Sequence, residues 1–223
     1  MRAWELLDTS AVAGQAKEMK LYRRGDEYSI KTGYSELMNS RMHSSEDVLA
    51  VLGCKPFRNK PETHILIGGL GMGFTLAEAL KHVHEKATVT IAELVPAVIQ
   101  WNQTHLAHLA GNPLDDKRVQ IYEGDVGKLI RNSAQTFDAI LLDVDNGPEG
   151  LTREENGALY SPSGLKAAKT ALKPRGILGV WSAFPEPRFT KRMKQAGFKT
   201  TEVPCRAHGK KGSKHMIWLG VNS

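Results

Sequence analysis

Cysteine is scarce in this chain of 223 residues: Cys54 and Cys205 stand far apart and imply no disulfide framework. Long apolar runs are missing too. None approaches the roughly 20 residues that a membrane span needs, and the opening MRAWELLDTS holds no continuous apolar segment of signal-peptide type. The expected address is the cytoplasm, and no membrane is expected as a partner. Aromatics make up only 7% of the chain, and its two basic clusters, RFTKRMK at 188–194 and RAHGKKGSK at 206–214, are not interleaved with stacking rings as in single-strand binders. The net charge is nevertheless +6, with a pI near 9.3. Nucleic acid therefore stays open as a partner, beside the plainer reading of a solvated helix face and a lysine-rich loop. Metal ligands are thin: His105 and His108 share one face of an expected helix, but no third ligand is in view, so no metal is expected.

What is present fits one α/β domain with a small appendage. Hydrophobic content of 41% and charged content of 24% are ordinary for a globular chain large enough to bury a core. Residues 1–58 form the appendage, a small β-rich segment plus one helix. Strands are expected at 19–23, 28–31 and 34–38, with turns at Arg24-Gly25-Asp26 and Thr32-Gly33. A helix over 44–52 follows, with a serine N-cap and acids in its first turn. Asn59-Lys60-Pro61 is the expected seam. Over 59–223 strand and helix alternate: 64–68, 73–84, 87–92, 95–107, 118–122, 125–132, 137–142, 163–173, 175–182 and 187–196. A closing hairpin at 199–204 and 215–221 completes the chain. ALKPRG at 171–176 reads as a helix end, a turn and a strand start. The pattern is that of a Rossmann-like, doubly wound, mostly parallel sheet.

The stretch HILIGGLGMGFTLAEAL, 64–80, organises the rest. A buried strand runs into Gly68, Gly69, Gly71 and Gly73, and a helix opens behind them. Glycines allow positive φ and close approach of a ligand to the backbone, and a helix N-terminus presents free N–H groups. This is a cradle for a nucleotide-like ligand. Glu93 ends the next strand 20 residues beyond Gly73, the spacing of an acid that takes a ribose diol. Asp125 follows the third strand, placed to accept from an adenine amino group, and Asp143 follows the fourth. Leu94 and Val126, next to two of these acids, count with the cofactor residues. Ligands of open α/β sheets bind beyond the carboxyl ends of the strands, and four successive strands here place glycine or acid at that edge. Trp181 either walls an acceptor pocket or packs in the core, and Tyr160 either contacts a ligand or packs. His43, near the site, either touches substrate or is a satisfied surface histidine, and Met38 and Met42 read as core rather than recognition.

The order GGLGMG, IAELVPAVIQ, RVQIYEGD, FDAILLDVDNGP, LYSPSGL and LKPRGIL resembles the spermidine synthase family, within the Rossmann-like S-adenosylmethionine-dependent transferases. The resemblance covers 64 to about 182 well and, more loosely, the N-terminal hairpins and the Ser45-Glu46-Asp47 helix start. It implies that Gly69, Gly71 and Gly73 line the methionine and ribose side, that Glu93 takes the ribose hydroxyls and Asp125 the adenine, and that Asp143 is the catalytic base. Glu46, Asp145, Asn146, Tyr160 and Trp181 become the acceptor-binding set. It further implies S-adenosylmethionine or its decarboxylated form as donor, a small-molecule amine as acceptor, no metal, and a homodimer. The departures are specific. The family's GGGDGG loop carries an aspartate where this chain has Gly71, its second acid is replaced by Asn146, and of its YHE-like gate only Glu46 remains at Ser44-Ser45-Glu46. Two other readings stand beside aminopropyl transfer: a methyltransferase acting on nucleic acid or a small molecule, and a nucleotide-binding module without catalysis.

Overall fold

The computed structural model describes residues 2–12, 18–144, 148, 157–208 and 211–223. Four antiparallel strands form a small sheet in sequence order: β1 (Glu5–Ser10), β2 (Met19–Arg24), β3 (Glu27–Thr32) and β4 (Ser35–Asn39). The β2–β3 and β3–β4 turns pass through Gly25 and Gly33 at φ 64° and 56°, a region open to glycine at no steric cost. β1 has no counterpart among the expected strands. ELLDTS is half exposed and lacks a clean alternation, and it is tied down by a distant residue, since the Trp101 indole N–H donates to Asp8 Oδ2 at 2.6 Å.

Helix α1 (Ser44–Cys54) packs against the main sheet and the Phe74–Lys81 helix, as expected of the helix that follows the small strands. Its Gly53 backbone lies against Leu141, and its Leu49 meets Gly179 of the main sheet. The expected seam at 59–61 lies in the turns between α1 and the next strand. The expected serine cap does not form. His43 is the N-cap residue and makes no side-chain capping bond, and the Ser45 hydroxyl turns to Glu46 Oε2 at 2.6 Å.

The main sheet contains β5 (His64–Gly68), β6 (Thr88–Glu93), β7 (Val119–Glu123), β8 (Phe137–Leu142), β9 (Leu172–Ser182), β10 (Phe198–His208) and β11 (Lys211–Asn222). Their order is β10-β11-β9-β8-β5-β6-β7. The five strands from β9 to β7 are parallel, and the β10–β11 hairpin joins antiparallel through β11. Helices α2 (Phe74–Lys81), α3 (Pro96–Gln103), α4 (Val126–Arg131), α5 (Gly157–Tyr160), α6 (Pro162–Ala171) and α7 (Pro187–Gln195) connect them. The central strands are apolar on both faces. Ile65 and Ile67 enter one core and Leu66 the other, as do Ala139 and Leu141 against Ile140 and Leu142, which is why these runs read as continuous rather than alternating.

At the amino edge, buried Asp138 accepts from Lys60 Nζ (2.5 Å), Lys173 Nζ (2.8 Å) and the His64 N–H (2.8 Å). Burial alone would raise its pKa, but those two ammonium groups and the N–H hold it below the usual value. Two expectations fail locally. Helix α3 stops at Gln103, so His105 lies beyond it, and no group of three metal-ligating side chains occurs among the described residues. β9 starts directly at Leu172, with a register shift opposite Phe137–Ala139 and Arg175 at φ 64° where a turn was expected. No helix among the described residues is long and apolar enough to cross a membrane, and both cysteines are free.

Candidate active site

The strand order reverses at β5, which has β6 on one side and β8 on the other, and a cavity opens at that switch point. The sheet sets the order of the cavity's groups. Gly124, Asp125 and Val126 follow β7, Glu93 and Leu94 close β6, Gly69 and Gly71 follow β5, Asp143 follows β8, and Trp181 stands near the end of β9. At about 4.8 Å per strand, the row from β7 to β9 extends roughly 19 Å. The small sheet supplies the roof through Met19, Ile30, Leu37 and Met38, and α1 adds Glu46.

The glycine turn is held from three sides. The Gly69 N–H donates to Ala92 C=O, Asp143 N–H donates to Gly68 C=O, and Asn102 Nδ2 donates to Gly71 C=O at 2.8 Å. Gly69 has φ 89°, and a Cβ there would stand 2.2 Å from the Asp143 carbonyl oxygen, so only glycine fits. Gly68 and Gly73 serve behind the wall. Gly68 packs against Val126 and Leu142, while Gly73 (φ 83°) turns the chain into α2 beside Asn102.

Glu93 is buried, with one carboxylate oxygen accepting from the Leu70 N–H (2.9 Å) and the other from the Val95 N–H (2.8 Å). This fixes the carboxylate at the cavity wall. Asp125 caps α4 by accepting from the Gly127 N–H at 2.7 Å, and also meets Arg131 at 3.4 Å. Asp143 Oδ2 accepts from the Thr75 hydroxyl at 2.8 Å. Desolvation pushes its pKa up to about 6 against that hydrogen bond. Glu46 goes up to about 7, by desolvation first and by the Asp143 charge second, with the Ser45 hydroxyl opposing. Two carboxylates that repel one another take up protons as a linked pair.

The remaining expected residues divide. Trp181 does wall the cavity, tilted against His215 at 5.0 Å between centroids. Tyr160 is buried in the second core, edge-on to Phe189, and does not line the cavity. Asp145 and Asn146 lie outside the described residues. His43 stacks on Phe74 and pairs with Asp47 at 2.9 Å instead of facing the cavity, and Met42 is exposed rather than core. Sequence reasoning missed Thr75, Thr32 and the cavity role of Met38. Thr32 lines the cavity with a buried hydroxyl that has no partner among the described residues. Thr75 could have been sought in the first turn behind the glycines, but the other two carry no signal of their own.

Comparison with known proteins places this geometry. The family model described as "Spermine/spermidine synthase domain" matches residues 44–195. Polyamine aminopropyltransferase 1 of Streptomyces coelicolor is 30% identical over 155 residues, 66% of this chain and 28% of that protein. The polyamine aminopropyltransferase of Prochlorococcus marinus (strain MIT 9215) is 30% identical over 126 residues, 56% of this chain and 42% of that one. The matched part thus spans less than half the length of either relative. Among solved structures, spermidine synthase from Thermotoga maritima superposes with a TM-score of 0.75 at 16% identity, over 98% of this chain and 72% of the other. A probable spermidine synthase from Corynebacterium glutamicum ATCC 13032 gives 0.62 at 16%, over 100% and 81%. At such identity the likeness is one of fold. The family match, by contrast, runs from the start of α1 to the end of α7 and takes in every strand tip that carries a cavity group: the chain belongs to the spermine/spermidine synthase family.

Proposed function

We propose that the chain transfers an aminopropyl group from decarboxylated S-adenosylmethionine to a small aliphatic amine, with Asp143 as the proton acceptor. One observation carries the reading. The cavity is lined by four carboxylates, Glu46, Glu93, Asp125 and Asp143, and by no lysine, arginine or histidine among the described residues. Such a site favours a ligand that is cationic throughout, a sulfonium plus an ammonium, over one that also carries a carboxylate needing a positive partner. The names of the curated relatives agree with this choice.

The donor supplies a carbon activated by its sulfonium sulfur. The amine nitrogen forms a bond to that carbon as the carbon–sulfur bond breaks, and the bonding pair stays on sulfur as a neutral thioether. Asp143, ionised above about pH 6, takes the amine proton. Its place between the glycine turn and Trp181 puts it where the β5–β6–β7 side, holding the nucleoside, meets the β9 side, holding the acceptor. Glu93, held by the Leu70 and Val95 N–H groups at the cavity wall, orients the ribose.

The test is turnover with the decarboxylated donor and an aliphatic diamine, followed by mass spectrometry. The aminopropylated amine and methylthioadenosine are expected in equal amounts. Formation of S-adenosylhomocysteine from the carboxylate-bearing donor would instead establish methyl transfer. The basic face of α7 lies outside the cavity, because its Phe189 and Met193 anchor it in the second core. Lys191→Glu with Lys194→Glu should therefore leave turnover unchanged, whereas a steep, salt-dependent loss would point to a nucleic-acid acceptor.

A further inference from the structure

We propose that Met38 decides which donor chain the cavity admits, acting as a plug over Gly71 that leaves room for an ammonium but not for a neighbouring carboxylate. The inference rests on the donor reading above. Met38 hangs from β4 in the roof and crosses to the glycine turn. A Cβ built on Gly71 would stand 2.6 Å from Met38 Cε and 3.1 Å from its Sδ. The thioether therefore fills the space that any side chain at position 71 would need. The backbone does not forbid an acid there: at φ 54° Gly71 lies in the left-handed region that Asp and Asn tolerate best among side-chain-bearing residues. The Met38 thioether end occupies the space beside it.

The same pair bounds a second, smaller space. Met38 and Gly71 close a cavity of about 10 Å³ together with Glu46, Thr75 and Asp143. That is the scale of a single water, and an –NH3⁺ head is of the same size. An ammonium there meets two carboxylates and a hydroxyl under the Met38 thioether. A donor bearing a carboxylate on the adjacent carbon brings three more heavy atoms into the volume of the thioether. It also sets a negative charge beside Glu46 and Asp143 with no cation among the described lining residues. Met38 thus excludes by volume what the two acids disfavour by charge, and selectivity for the decarboxylated chain is assigned to a residue of the roof sheet.

The experiment measures calorimetric affinities of the intact chain for decarboxylated S-adenosylmethionine, S-adenosylmethionine and methylthioadenosine, which lacks the charged chain. Met38→Val removes the Sδ–Cε end above Gly71 and keeps a side chain suited to a strand. Met38→Gln keeps length and shape but offers an amide donor to a carboxylate. Both should narrow the preference for the decarboxylated donor at least tenfold, chiefly by tighter binding of S-adenosylmethionine, with methylthioadenosine changed less than threefold. A preference that stays within twofold of wild type in either folded variant overturns the proposal. A wild-type chain that prefers S-adenosylmethionine overturns the donor reading instead, a result visible before any variant is made.

Discussion

Replacing Glu46 by glutamine should stabilise the protein at alkaline pH while weakening its site. Burial first, and the Asp143 charge second, lift the Glu46 carboxyl from its ordinary 4.5 to about 7. Between those values the folded chain keeps a proton that the unfolded chain has released, so this group lowers stability as pH rises through the window, and the loss is complete above it. The rise from 4.5 to about 7 corresponds to roughly 3 kcal/mol at about 1.4 kcal/mol per pH unit. Water reaching the cavity and sharing of the repulsion with Asp143 reduce this to about 2 kcal/mol. Glutamine keeps the shape and an oxygen to accept from Ser45 but never ionises. The variant should thus melt about 4–8 °C above wild type at pH 8, as about 2 kcal/mol does in a domain of this size, and at the same temperature at pH 4. Affinity for the decarboxylated donor should fall by about ten- to a hundredfold, as for loss of one partly buried charge pair. Circular-dichroism melts from pH 4 to 8 and calorimetry at pH 8 measure the two effects. A stability difference that does not vary with pH, or a variant less stable than wild type at pH 8, would refute the picture of two carboxylates forced together.

Three other substitutions test separate parts of the site. Asp143→Asn should lower kcat by roughly 10²–10⁴, as loss of a proton acceptor does, and should also weaken donor binding by about tenfold, as removal of one carboxylate facing the ammonium does; single-turnover kinetics with calorimetry separates the two. Glu93→Gln puts an amide NH2 against the Leu70 or the Val95 N–H, both of which now donate to carboxylate. It should cost about 1–3 kcal/mol of stability in denaturant titration and at least tenfold in donor affinity. Gly69→Ala forces a methyl against the Asp143 carbonyl from a left-handed backbone and should abolish donor binding measured by calorimetry, with a lowered melting temperature.

The parallel sheet was legible because β5, β6 and β8 are short apolar runs bounded by glycine or acid, and because Glu93, Asp125 and Asp143 end successive strands. That periodicity places groups along an edge but says nothing of what stands opposite them. Glu46 and Asp143 are almost a hundred residues apart, and only the packing of α1 on β8 and β9 makes them neighbours. Met38 reads as core from its apolar side chain on a strand, and it does pack against the core. Its second contact, with Gly71, depends on how the roof sheet sits over the turn. β1 was illegible because its half-exposed sequence lacks alternation, and its pairing with β2 and the bond from Trp101 to Asp8 are tertiary contacts. Tyr160 was a fair candidate by position, but Phe189 claims it for the second core.

The most direct measurement of the central claim is the affinity of the unmodified protein for decarboxylated S-adenosylmethionine and for S-adenosylmethionine at pH 8, where both buried carboxylates are ionised. A cavity whose charged groups among the described residues are all carboxylates, under a methionine roof, predicts at least a tenfold preference for the decarboxylated form, with proton uptake by buffer appearing in the binding heat as the measurement is moved toward pH 6. A preference for the carboxylate-bearing donor would contradict the account and turn the site toward methyl transfer.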